Sequence, residues 1–454
     1  MTTEKIIELL QIKVQASAPE ILIYSKNATA RLKYVLDFVF HHQLNIRYRL
    51  ENDIELFSKS KEPKINYSEN KFDNSIHIVP SSLLSEKKLN PNIVLDFKYV
   101  QGFPVVFKTD QNDDLGFDIF SAVFYFISRY EEWQVTDLDV HGRFEARNSI
   151  LKSNGILDKP VLDIWTNELK RQLQTKFPNY LFPTKKFTNL VTIDVDNLFA
   201  FKGKSLSRSI GSSLKDLAKG NFKQIKTRWK VIIGLQKDPF DVYERINNLS
   251  IEKNLPVFFF FLQKSGTKFD RTVNPSSDEF NKVIKALNAD NINVGLHPSY
   301  NSSTSEALLR NEKEQLESHA GRNISTSRQH YLRFDIEKTP DILLNSGIKI
   351  DFSVGFASEI GYRAGTFTPF YHFDFNKEIP TELLRVPFVI MDGTYFIYSS
   401  SGSAQAIKDI ESYSTEVKKL GGGLFVSVFH ERTFDPQIAP GFNDVFEELV
   451  SLND

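Results

Sequence analysis

The sequence predicts an α/β protein in two parts: a smaller α/β domain over 1–180 and a βα-alternating domain over 187–454. Three observations carry this expectation. The chain has 454 residues, more than one ordinary core accommodates. Beyond Phe187, short strand-like runs alternate with segments of helical periodicity. Between the two parts, Pro178 to Phe187, with Pro183 and two lysines, reads as a linker. The alternation over the longer part suits a βα barrel or a doubly wound sheet.

In the first part, Ile21 to Tyr24 is strand-like, Ala28 to His42 has helical spacing, and Leu44 to Tyr48 is again strand-like. Ser58 to Asn74 is polar and reads as a loop. Ile76–Val79 and Val105–Phe107 suit strands. Phe117 to Trp133 is a strongly apolar helix, 137–159 is irregular, and Val161 to Phe177 is helical. In the second part, strands are expected at Leu190–Ile193, Val257–Leu262, Ile292–Leu296, Ile348–Phe352, Val386–Met391 and Leu424–Phe429. Helices are expected at Phe240–Lys253, Asp278–Asp290, Glu306–His319, Ser403–Leu420 and Gly441–Leu452.

Composition narrows the function classes. Hydrophobic residues make up 41% and charged residues 25%, as in globular proteins. A formal net charge of -1 argues against a general nucleic-acid binder. The absence of cysteine excludes disulfides, zinc–thiolate sites and cysteine nucleophiles. The start lacks a signal-peptide apolar core, and the longest apolar run, Val257 to Leu262, is too short to span a bilayer. A soluble cytoplasmic protein is the default expectation. One segment departs in charge: 201–237 holds ten Lys/Arg against one acid, Asp216, with apolar residues interleaved. Such a stretch fits a solvated insertion, or a basic amphipathic helix on the inner face of an anionic membrane.

Five clusters can carry chemistry. In Leu190–Asn197, a buried-strand run ends in Asp194 and Asp196, which lie on one side of an extended segment. One carboxylate can hold a metal while another takes a proton from water. His297, directly after a strand, has the chemistry of a zinc ligand. Arg328, in Ser327–Phe334, is placed to pair with a carboxylate. Asp351 follows a strand and precedes a glycine-bearing stretch with Arg363. His430 ends the last strand, and a histidine there suits a general acid. Walker, dinucleotide and nucleophile-elbow spacings are absent from the sequence.

These clusters, in this order, resemble the polysaccharide deacetylase family (chitooligosaccharide deacetylase homology) from about Phe187 to Asp454. The resemblance implies a distorted (β/α) barrel. It makes Asp194 of Thr192-Ile193-Asp194-Val195-Asp196 the base and Asp196 a metal ligand. The family's His-x-x-x-His reads here His297-Pro298-Ser299-Tyr300-Asn301, so Asn301 stands where a second histidine ligand would. Arg-x-Pro-Tyr reads Arg328-Gln329-His330-Tyr331. Its Arg braces the base, Tyr331 offers a backbone N–H to the oxyanion, and His330, replacing the proline, offers an alternative ligand. Asp351 is implied to tune His430, the general acid. The implied cofactor is a divalent metal, with zinc the first expectation, and the implied partner an amino-sugar glycan; the basic stretch 201–237 adds a variant in which that glycan is lipid-linked or phosphorylated at the inner membrane face. The implied reaction is removal of an N-acetyl group. Two alternatives stand beside it: metal-independent C–N hydrolysis on the same fold, as in allantoinase-like relatives, and a catalytically inactive glycan-binding protein.

Overall fold

The computed structural model describes residues 1–453 apart from 101, 110–112, 264–266, 271, 273–274, 276 and 288–291. In the first part, β1 (Glu20–Tyr24), β2 (Arg47–Glu51), β3 (Lys64–Tyr67) and β4 (Ile76–Ile78) form a parallel sheet of order β2-β1-β3-β4. Ile21 and Ile23 share a core with Leu32 and Val35 of the first crossover helix, whereas Leu22 and Tyr24 pack on Phe57 of the second. The helices thus cover opposite faces, as the period of two along a strand requires. A hairpin of β5 (Lys98–Val100) and β6 (Phe103–Val105) follows. Strand β3 lies where the sequence suggests a polar loop. Its Lys64 is buried, and the ammonium group donates to the carbonyls of Phe57, Ser58 and Ser60. A buried lysine satisfied in this way leaves no apolar pattern to read.

The second part is a nine-stranded curled sheet. Its strands are β7 (Phe187–Val195), β8 (Val257–Leu262), β9 (Ile292–His297), β10 (Thr326–Ser327), β11 (Ile350–Val354), β12 (Phe370–Asp374), β13 (Ile379–Pro387), β14 (Ile390–Met391) and β15 (Gly423–His430). The order is β12-β13-β11-β10-β9-β8-β7-β15-β14, all parallel neighbours except the β12–β13 pair. Leaving β12 aside, strands follow one another around the sheet in chain order, as in a (β/α) barrel. The ring is open between β13 and β14 among the described residues. Two strands escape the sequence reading: β10 is too short to show a pattern, and antiparallel β12 follows no helix. The expected strand 386–391 divides into the end of β13 and β14. The end of the expected helix 278–290 lies outside the described residues; the helix observed is Asp278–Ala286.

Strand alternation sorts the core. Phe258 and Phe260 fill the barrel interior with Leu190, Phe352, Val386 and Val426, while Val257, Phe259 and Phe261 meet the surrounding helices. The same period points Leu190, Thr192 and Asp194 inward from β7. Gly295 of β9 makes room for Phe260: a Cβ there would lie 2.6 Å from the ring. The helix Thr3–Leu9 plugs the barrel's lower end. Ile6, Leu10 and Ile12 join the interior core, and Thr3 bonds Ser325 at 2.8 Å. Residues 6, 10 and 12 thus pack with the barrel interior.

The two parts share a core. The helix Ile119–Ile127 is buried on all sides and packs with Phe370, Phe373 and Phe375 of the β12 region. Beside it, Glu132 Oε1 accepts from Arg129 Nη2 at 2.7 Å and from Arg363 Nε at 2.8 Å.

Candidate active site

The C-terminal ends of the barrel strands enclose a cavity of about 440 Å³. β7 brings Asp194 and Asp196, β9 brings His297, the segment after β10 brings His330 and Tyr331, and β15 brings His430. β15 pairs with β7 so that His430 stands beside Asp194 in register. Arg328 sits fully buried behind them. Its Nη1 donates to Asp194 Oδ1 at 3.0 Å and to Thr192 Oγ1 at 2.6 Å, and its Nε donates to the Phe352 carbonyl at 3.0 Å. The guanidinium also lies over the Phe260 and Phe388 rings, at 5.0 and 5.3 Å. A rigid fork held at this many points fixes where the Asp194 carboxylate faces.

Three ligating atoms converge next to that carboxylate. Asp196 Oδ1 lies 3.4 Å from His297 Nε2 and 3.5 Å from His330 Nε2. Each imidazole is oriented through its other nitrogen. His297 Nδ1–H donates to the Arg328 carbonyl at 2.5 Å, and His330 Nδ1–H donates to Asp270 at 3.0 Å. This is the outer arrangement that aims histidine lone pairs at a metal. Asp196 Oδ1 is buried and has no hydrogen-bond partner among the described residues. An orphaned carboxylate oxygen facing two nitrogens suits a divalent cation, and a nitrogen–oxygen donor set without sulfur suits zinc. The other oxygen, Oδ2, accepts from Arg432 at 2.7 Å. Burial alone would raise Asp196, but Arg432 and the two histidines hold it well below the usual carboxylate range. Burial likewise opposes charge on His297, yet Asp194 and Asp196 prevail and raise its pKa.

His430 has its own partner. Its Nδ1–H donates to Asp392 Oδ1 at 2.7 Å, and its backbone N–H to Asp392 Oδ2 at 2.6 Å. Burial would lower the imidazole, but the Asp392 carboxylate carries it up to about 9. The protonated form therefore persists through neutral pH and is lost as pH rises through that value. In Asp392→Asn, the falling limb of a pH–rate profile should move down by about 1–3 pH units. An unchanged limb would remove Asp392 from this role.

Beyond the cavity floor, the first part of the chain supplies a wall. His141 packs on Tyr331 at 4.8 Å between ring centroids and bonds the Tyr300 hydroxyl at 2.9 Å; Phe269 stacks on Tyr300 at 4.2 Å. Arg143, itself paired with Asp139, donates to the Tyr331 carbonyl at 3.0 Å. Tyr331 and Leu332 both have positive φ, 60° and 55°. Backbone held this way costs about 1–3 kcal/mol and persists only where its surroundings impose it.

A family of unknown function (DUF7033) matches residues 21–178. No curated protein matches the chain. Among solved structures, a protein described as a polysaccharide deacetylase from Mycobacterium smegmatis is similar at 16% identity and a TM-score of 0.38; the match covers 61% of this chain and 88% of that one. A family 4 carbohydrate esterase from Streptomyces lividans is similar at 9% identity and 0.29, covering 60% and 91%. A protein described as a polysaccharide deacetylase from Pseudomonas aeruginosa is similar at 10% and 0.37, covering 58% and 85%. Likeness at these levels carries no functional weight, which rests on the chain's own geometry.

Two expected site residues fall elsewhere. Asn301 is exposed at the start of the short helical turn Ser302–Thr304 and lines no part of the cavity. The chain turns away after Tyr300, and His330, from the neighbouring strand end, occupies the third position. Asp351 does not reach His430. It accepts from Arg385 Nε at 2.8 Å and from the Ser353 hydroxyl at 2.6 Å, inside the barrel wall. Asp392, directly after β14, which pairs with β15, takes the position expected for Asp351.

Other residues gave little signal. Asp270 lies in a polar stretch without periodicity. Glu431 adjoins His430 and accepts the N–H groups of Asp196 and Asn197 at 3.0 and 3.1 Å. A larger cleft, about 570 Å³, opens between the first domain and β12–β13. It lacks a metal-ligating cluster among the described residues.

Proposed function

We propose that the chain hydrolyses an N-acetyl amide on an amino sugar within a glycan. The observation supporting this reading is the juxtaposition of the Arg328-held Asp194 with His430 in register, beside the Asp196, His297 and His330 cluster. Asp194 takes the proton from the attacking water, and Arg328 keeps its carboxylate aimed at that proton. His430, oriented by Asp392, gives a proton to the departing amine nitrogen. The Tyr331 backbone N–H stabilises the developing oxyanion. Asp196, His297 and His330 would hold a divalent cation, zinc by donor chemistry, which when bound polarises the amide carbonyl and acidifies water. Phe269 and Tyr331 line the cavity and offer aromatic surface to a sugar, Tyr300 backs them through its stack on Phe269, and Arg143 lines the rim.

The test joins two readouts on the purified protein. Acetate release from N-acetylglucosamine oligomers reads the reaction. Thermal unfolding with added zinc reads the site, because saturation at a hundredfold excess over Kd stabilises by about 2.7 kcal/mol. His297→Ala and His330→Ala should lose the zinc-dependent stabilisation, while Asn301→Ala keeps it. Equal stabilisation of all three variants would reject the cluster as the site.

A second reading, metal-independent C–N hydrolysis, is favoured by Arg432. Its guanidinium already neutralises Asp196 at 2.7 Å, and like charge opposes a cation alongside. Hydrolysis that resists chelators would decide for it.

A further inference from the structure

Between Asp196 and β8 the chain forms two helices, Leu206–Ala218 and Phe222–Ile232. The amphipathicity of the first is inverted. On the first helix Ser209 is buried, Ser212, Ser213 and Asp216 are half-buried, and Leu206, Ile210, Leu214 and Leu217 face solvent. The exposure is large: 64% for Leu206, 62% for Leu214 and, at the head of the second helix, 66% for Phe222. A helix on a globular protein normally turns its apolar stripe inward. Here the spacing 206, 210, 214, 217 makes one continuous outward stripe, and a contiguous apolar surface of this kind marks an interaction site.

The polar face holds the hairpin together. Arg228 donates to Asp216 at 2.5 Å and to Ser213 at 2.9 Å, and lies over the Phe201 ring. Asp238 pins the base by accepting the N–H groups of Ala200, Phe201 and Lys202 at 2.8, 2.8 and 3.0 Å. The outward stripe is therefore presented on a braced element. The single acid of 201–237 is consumed internally by Arg228. Exposed cations remain around the stripe: Arg208, Lys215, Lys219, Lys223, Lys226 and Lys230.

We propose that this hairpin docks the protein on an anionic lipid surface. Leucine, isoleucine and phenylalanine would enter the acyl boundary while the lysines meet anionic headgroups. The charge pattern selects this occupant: a stripe ringed by cations repels a second copy of itself, whereas an anionic bilayer satisfies both the apolar face and its rim. Because the hairpin departs from the C-terminal end of β7, it leaves the barrel at the end that bears Asp194 and Asp196. No described helix is long and apolar enough to cross a membrane. The proposal does not depend on the amide-hydrolysis reading, and its test uses no turnover.

The test is co-sedimentation of the full chain with phosphatidylglycerol–phosphatidylcholine vesicles and with phosphatidylcholine vesicles alone. The expected result is binding to the anionic vesicles that high salt weakens. The triple variant Lys215→Glu, Lys219→Glu, Lys223→Glu should bind on the order of a hundredfold more weakly. Leu214→Gln with Leu217→Gln should also lose binding with an unchanged melting curve, since both side chains are already in solvent. Equal binding to both vesicle types, or none, overturns the proposal. So does a dimer in sedimentation velocity that the Leu214→Gln, Leu217→Gln variant dissociates, which would make a second copy the occupant.

Discussion

Asp194→Asn should lower kcat/KM for N-acetyl hydrolysis by about 10²- to 10⁴-fold while leaving the protein folded. The substitution keeps the shape and removes the basic oxygen. Arg328 is fully buried, so its remaining partners decide whether the fold survives. Thr192 Oγ1 at 2.6 Å, the Phe352 carbonyl at 3.0 Å and two aromatic faces all persist, and the asparagine carbonyl can still accept from Nη1. Asp194→Leu is the harsher variant, leaving Nη1 facing a hydrocarbon side chain, and should reduce stability as well. The measurement is acetate release per enzyme with circular dichroism on the same samples. Activity within tenfold of the parent protein would remove Asp194 from the role of base and with it the proposed reaction.

Glu132→Ala should destabilise the protein by about 3–5 kcal/mol, because it leaves two buried guanidinium groups without their shared carboxylate. Arg129 and Arg363 both converge on Glu132 Oε1, and Arg363 also donates to the Gly355 carbonyl at 3.0 Å. Burial by itself would raise Glu132, but the two arginines bring it down to about 2. The folded-state value lies below the unfolded one, so this pairing contributes its full stability above the ordinary glutamate range, near 4.5. That contribution is lost as pH falls from there towards about 2. Urea unfolding at pH 7 reads the first effect. Comparing wild type with Glu132→Gln from pH 6 to pH 3 reads the second: the wild type should lose stability more steeply. A difference under 1 kcal/mol at neutral pH would mean that the arginines find other partners. Because Arg129 belongs to the first part of the chain and Arg363 to the barrel, the same experiment tests whether the two parts unfold together.

Much of the candidate site was readable from local pattern. Asp194 and Asp196 end a run that could only be a buried strand, and a period of two puts them on the face of Leu190 and Thr192. His297 and His430 likewise close strands, and parallel strands bring their C-terminal ends to one side of the sheet. Those inferences need only a few neighbouring residues each. Choosing between alternatives at one place needs more. Asn301 and His330 are both near His297 in a reading of the sequence, and only the turn after Tyr300 and the path out of β10 separate them. Asp351 and Asp392 both sit close to strand ends. Which of them reaches His430 depends on strand order, since β14 borders β15 while β11 lies across the barrel.

The sequence by itself determined the alternating α/β class, the longer strands that line the barrel, though not β10 or β12, and the order of the acids and histidines along it. Each follows from periodicity and from residue chemistry within a single element. The tertiary structure decided between the alternatives and completed the site. It set His330 and not Asn301 beside Asp196 and His297, brought in Asp392, placed Arg432 on Asp196, and folded the irregular 137–145 stretch across the barrel mouth with His141 and Arg143. It also turned the apolar stripe of the 206–217 helix outward. These features depend on register, on strand order and on the paths of loops. Such distances join residues far apart in the chain, and no local pattern encodes them.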